Sequence, residues 1–149
     1  MTGINFKLQI LTALLAVFLF SACATTVNIS EDLSPAEMIQ RAQEASDRNR
    51  YNVAMQYYEA LHQRNMTNLD LIITAEYEIA FIYYKQKKYD IARERLTDVL
   101  EYYNTPDEEL LPQHFKRLAQ IVLQSIEEKE RSRSKTSRIN TEDSEQDSE

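Results

Sequence analysis

The stretch FIYYKQKKYDIARERL, Phe81 to Leu96, decides the fold. Apolar residues approach it at helical spacing, a polar run "KQKK" interrupts them, and Tyr89, Ala92 and Leu96 restart the spacing. Such a pattern predicts a helix, a tight turn and a second helix folded back on the first. The same arrangement stands upstream, where Tyr51-Asn52-Val53-Ala54 matches Tyr89-Asp90-Ile91-Ala92. Ala42 and Ala80 each lie twelve residues before those alanines, and Tyr58 and Leu96 four residues after them. Self-similarity at the period that separates Ala54 from Ala92 is the mark of stacked helix pairs.

Working outward, Ser34-Pro35-Ala36-Glu37 reads as a capping box that starts a first helix ending within Ser46 to Arg50. A second helix is expected from Tyr51 to Gln63, a third from Leu69 to Gln86 and a fourth from Tyr89 to Tyr102. A fifth is expected from Leu110 or Pro112 to Glu130, with Leu111, Phe115, Leu118, Ala119, Val122 and Ile126 on one face. The third is apolar nearly all round, so it should be central and packed on more than one side. Asp70, Glu76 and Glu78 argue against its being a bilayer span, since each costs ~2.5–3.5 kcal/mol near the bilayer centre. From Arg131 to Glu149 the chain is rich in serine and charge, a composition that predicts a disordered tail.

The hairpin stretch and its upstream copy resemble the tetratricopeptide repeat (TPR). One unit supplies Ala80, Tyr83, Ala92, Leu96 and Pro106; the other supplies Ala42, Ala45, Ala54 and Tyr58. Asn49 and Lys87 stand where the family has a turn glycine, so Lys87 should be the more strained of the two. The resemblance implies an all-α, short right-handed solenoid over residues 34–130, two helix hairpins with a C-terminal capping helix. It implies partner binding in a groove lined by the first helix of each pair. Candidate groove residues are Tyr77, Phe81 and Tyr84, spaced to share a face, with Ile39 and Gln43 beside them and Lys85 near their end. Two units and a cap are few for independent stability, which leaves room for a homo-oligomer.

The amino terminus carries an address. Lys7 is followed by an apolar run from Leu8 to Phe20, ~13 residues against the ~20 of a bilayer span, and then by Ser21, Ala22 and Cys23. "FSAC" resembles the lipobox of bacterial lipoproteins. The resemblance implies a signal peptide over 1–22, cleavage before Cys23, and diacylglycerol and acyl chains (palmitate among them) on the only cysteine. Residues 23–33 read as a polar tether. No aspartate follows Cys23, which in that family favours the outer membrane facing the periplasm over the inner membrane. Loss of residues 1–22 removes only Lys7 among the charges, taking the net charge from −7 to −8.

Composition narrows the function. The single glycine, Gly3, excludes phosphate loops, dinucleotide fingerprints and nucleophile elbows. The net charge of −7 argues against nucleic-acid binding through an overall basic surface, and the basic run Arg131, Arg133, Lys135 and Arg138 is not expected to bind nucleic acid in an envelope protein. His62 and His114 fall on different helices without ligand spacing. The expectation is a non-enzymatic protein without metal or cofactor, a lipid-anchored envelope scaffold that binds a protein or peptide partner. The alternative is a non-catalytic accessory subunit of an envelope transport, outer-membrane assembly or cell-wall complex.

Overall fold

The computed structural model describes residues 26–146, with side chains through 136. The signal segment 1–22, the candidate lipid-bearing Cys23 and residues 24–25 lie outside the described residues. Among those described, the chain is all-helical. It has α1 (Pro35–Asp47), α2 (Tyr51–Arg64), α3 (Leu69–Lys85), α4 (Tyr89–Glu101), a 3₁₀ turn (Glu108–Leu110) and α5 (Gln113–Gln146). No described helix is long and apolar enough to cross a membrane.

Local chemistry sets these bounds. Ser34 accepts from the Glu37 amide while Glu37 accepts from the Ser34 amide, and Pro35 opens α1. The Ser34 hydroxyl and amide hold the exposed Glu37 carboxyl below its ordinary pKa. Asn68 caps α3 through the Leu71 amide. α1 and α3 end in the same turn. Arg50 N–H donates to Ala45 O (2.8 Å) and Asn49 N–H to Ser46 O (3.0 Å); at the matching place after α3, Lys88 donates to Tyr83 O (3.0 Å) and Lys87 to Tyr84 O (2.9 Å). This is the Schellman pattern, and it forces the left-handed region at Asn49 (φ 56°) and Lys87 (φ 62°). Lysine has no short side chain to stabilise that backbone locally, so the turn at Lys87 stores the greater strain.

Consecutive helices pack on one another, and α3 also contacts α5. Alanines at matching positions let the pairs close: Ala42 and Ala54 are fully buried between α1 and α2, as are Ala80 and Ala92 between α3 and α4. Two cores result. One gathers Met38, Tyr57, Tyr58, Leu61, Ile79 and Ile82; the other gathers Ile73, Tyr77, Leu96, Val99, Tyr103, Phe115, Val122 and Ile126. α3 feeds both, as its all-round apolar pattern predicts. Full burial of a side chain such as Leu61 or Leu96 contributes about 1.5–3 kcal/mol.

Three expectations need correction. Leu118 faces outward with Ile121 on α5, because the core-facing stripe is Phe115, Ala119, Val122 and Ile126. Helix α5 does not stop at Glu130 but continues to Gln146, within the segment expected to be disordered. Hydroxyls of Ser132, Ser134 and Thr136 bond the carbonyls four residues back, Glu130 pairs with Arg93 of α4, and Arg133 lies over the Tyr89 ring at 5.4 Å. Residues 26–33, expected to be a polar tether without a core, lie on α2: Val27, Ile29 and Leu33 pack on the first core.

Candidate functional site

Tyr77, Phe81 and Tyr84 share one face of α3, and the face is aromatic beyond them. Ring centroids run from Phe115 to Tyr77 (5.1 Å), Phe81 (6.0 Å), Tyr84 (5.8 Å) and Tyr89 (5.9 Å). The row is not uniformly open. Tyr77 is only 5% exposed, since α5 lays Phe115 across it, and it belongs to the core rather than to a groove. Burial, with Glu78 second, pushes its phenol to about 12, so it stays neutral. Phe81, Tyr84 and Tyr89 are half-buried.

The remaining candidates divide. Ile39 packs on the first core and Gln43 is exposed on α1. The tie between α1 and the aromatic row runs through Lys85. Its ammonium donates to the Ser46 hydroxyl and lies over the rings of Tyr51 (5.3 Å) and Phe81 (5.4 Å). Lys85 is therefore committed to joining the two helix pairs.

The row ends at a recess of about 550 Å³ between the α3–α4 turn and α5, lined by Tyr84, Lys87, Tyr89, Glu128, Lys129 and Arg133 among others. Two half-buried aromatic rings thus meet three cations and one carboxylate. Sequence reading places Tyr84 in a site but puts Lys87 in a solvated turn, Tyr89 in the fold and Arg133 in the tail. The signal that leads to the last is Ser125, Lys129 and Arg133, whose four-residue spacing carries α5 past Glu130 on one face.

A separate polar node joins α2, α3 and α4. Glu76 Oε1 lies 3.2 Å from His62 Nε2 and accepts from the Tyr102 hydroxyl at 3.1 Å. Burial and then Glu76 push the Tyr102 phenol to about 12. His114 lies against the Phe115 ring. Among the described residues no set of three His, Cys, Asp or Glu is placed to share a metal ion.

Glu78, also on α3, is half-buried. Burial raises its carboxyl above the usual range; Lys85 and the Tyr58 hydroxyl act the other way, and Asp47 adds to the rise. The fully buried Tyr58 hydroxyl has no partner at hydrogen-bonding geometry among the described residues, although Glu78 lies near enough to disfavour its ionisation. A raised folded pKa means that the native state holds the proton more tightly than the unfolded chain. That stability is present below the unfolded pKa and is lost as pH rises through the folded one. Glu78→Gln should therefore raise Tm at neutral pH and lose its advantage below about pH 4, where wild-type Glu78 is protonated in both states. Thermal unfolding at both pH values checks this; a variant less stable than wild type at neutral pH would show that the Lys85 attraction outweighs burial.

No family model and no solved structure matches the chain. A protein of Treponema pallidum (strain Nichols), itself uncharacterized, is 35% identical over 117 residues, spanning 76% of this chain and 47% of the relative. The chain thus spans about half the length of that relative, and it is similar to a bacterial protein.

Proposed function

We propose that the protein is a lipid-anchored, TPR-like scaffold of the bacterial cell envelope that holds protein partners. Matching left-handed turns at Asn49 and Lys87, one at the end of α1 and one at the end of α3, support reading α1–α2 and α3–α4 as two solenoid repeats capped by α5. The bacterial relative agrees with a bacterial address. The lipobox-like "FSAC" supports acylation of Cys23, with the outer membrane as the expected destination.

The observation that carries the binding function is the aromatic row, closed at Tyr77 and open at Tyr84 and Tyr89, beside Lys87, Lys129 and Arg133. Half-buried tyrosines in a concave site suit a partner's apolar side chain, and the cations suit a neighbouring carboxylate. The partner is therefore an acidic peptide segment of another envelope protein. The two hydroxyls that line the recess, Ser125 and Ser132, donate to backbone carbonyls of α5, which supports reading the recess as a binding surface.

The test is a pull-down from crosslinked cells with Tyr84→Ala combined with Lys87→Glu, at helicity matching wild type. Recovered partners should fall by roughly 30-fold, the effect of losing ~2 kcal/mol at an interface anchor. Recovery of the same partners in the same amounts overturns the reading. A single complex of fixed stoichiometry would assign the chain to an accessory subunit of an envelope machine.

A further inference from the structure

The joint between α4 and α5 is a braced, acidic knob. The Gln113 side chain donates to the carbonyls of Glu108 and Leu111, the Leu111 N–H donates to Glu108 O (3.1 Å), and Lys116 pairs with the Glu108 carboxylate. The Tyr103 hydroxyl donates to Pro112 O (2.8 Å) and ties the same joint to the core. On this frame Asp107 and Glu109 are exposed and, among the described residues, form no ion pair. Leu110 beside them is 82% exposed, more than any other large hydrophobic side chain among the described residues.

The recess at the α3–α4 turn asks for what this knob offers. Tyr84 and Tyr89 are half-buried rings, suited to an apolar side chain. Lys87, Lys129 and Arg133 surround them, and among the described residues none of the three is in an ion pair. Glu128 is the one carboxylate in the described lining, so the recess keeps an excess of two positive charges against the two unpaired carboxylates of the knob. A chain cannot fill its own recess. Lys129 stands 16 residues after Gln113 in α5, which places it ~24 Å along the helix from the joint. Because α5 also runs on past the recess to Gln146, a flat face is kept off it and a protruding joint is not.

We propose that the recess takes the Asp107–Leu110 knob of a second copy of this chain: Leu110 seats between Tyr84 and Tyr89, and Asp107 and Glu109 meet Lys87, Lys129 and Arg133. The proposal rests on reading the recess as a site for an acidic segment, and it adds an occupant that the chain itself carries. The bracing by Gln113, Lys116 and Tyr103 holds the knob in shape before contact, which lowers the ordering cost of docking. The two surfaces are unlike, so the contact repeats from copy to copy or is made twice in an antiparallel pair. Acidic partners and copies then compete for one site, and self-assembly falls as partner rises.

The test is sedimentation velocity on the whole chain carrying Cys23→Ala behind an exchanged secretory leader, so that no lipid drives association. Its mass should rise with concentration. A knob variant, Glu109→Lys with Leu110→Ala, and a recess variant, Tyr84→Ala with Lys129→Glu, should each weaken association roughly tenfold or more at unchanged helicity. Mixing the two variants should restore a 1:1 pair, because one supplies an intact recess and the other an intact knob. A parent chain that stays monomeric up to about 1 mM overturns the self-docking. So does association that survives both variants, or a mixture no heavier than either variant alone. In each of those cases the partner pull-down reads the recess separately. Partners lost with Tyr84→Ala and Lys87→Glu leave the acidic-segment reading standing, and partners recovered unchanged overturn both.

Discussion

Tyr77→Ala lowers the unfolding free energy by about 3–5 kcal/mol, the cost of truncating a buried aromatic side chain. The ring is 5% exposed and touches Phe115 of α5 at 5.1 Å and Phe81 at 6.0 Å. Its loss opens a cavity beneath α5 and also forfeits aromatic pairing worth about 0.5–1.5 kcal/mol per pair. A domain of this size has about 5–15 kcal/mol in all, so the variant should unfold far below wild type, with roughly 4–8 °C lost per kcal/mol. Tyr84→Ala, on the same face but half-buried, should cost far less and instead weaken partner capture. Urea and thermal unfolding followed by circular dichroism separate the two. A Tyr77→Ala variant within about 1 kcal/mol of wild type would return Tyr77 to the groove.

That contrast marks where sequence reading stops. Capping residues, spacing and the turn at Lys87 are local, and local chemistry sets the helix bounds to within a residue or two up to α5. The apolar residues nearly all round α3 also identify it as the helix with two buried sides. Spacing places Tyr77, Phe81 and Tyr84 on one face but does not say which helix covers it; α5 covers Tyr77 and leaves Tyr84. The docking of residues 26–33 on α2 escapes sequence reading for a different reason. Eight residues without a period give no signal of their own, and the pairing of Val27 with Gln56 joins positions 29 apart. In α5 the serine-rich composition argues for disorder from Arg131. The hydroxyls of Ser132, Ser134 and Thr136 instead bond backbone carbonyls within the helix, and Arg133 reaches Tyr89, a contact invisible without the fold.

Replacing Cys23 by Ala should move the protein from the membrane to the soluble fraction, provided that the leader is exchanged for an ordinary secretory one. The proviso follows from the sequence. In the native leader the apolar run Leu8 to Phe20 would stay attached when cleavage before Cys23 fails, and an uncleaved segment of ~13 apolar residues can hold a chain at the membrane without any lipid. Cys23→Ala in the native leader should thus yield a precursor that keeps the whole segment from Met1 to Ala22 and takes up no labelled palmitate. With the leader exchanged, what remains is the helical domain, none of whose described helices can span a bilayer. Each buried CH₂ of an acyl chain contributes ~0.8 kcal/mol, so two or three chains dominate every other membrane contact this domain makes. Exposed cations such as Arg48, Arg50, Lys87 and Lys88, at ~1 kcal/mol each near an anionic surface, cannot replace them. Release should be nearly complete at physiological salt and wholly so at high salt, where the Debye length falls to about 3 Å. If the exchanged-leader variant stays with the membrane as fully as wild type, the anchor is a bound protein and not a lipid, and Cys23 is an ordinary cysteine.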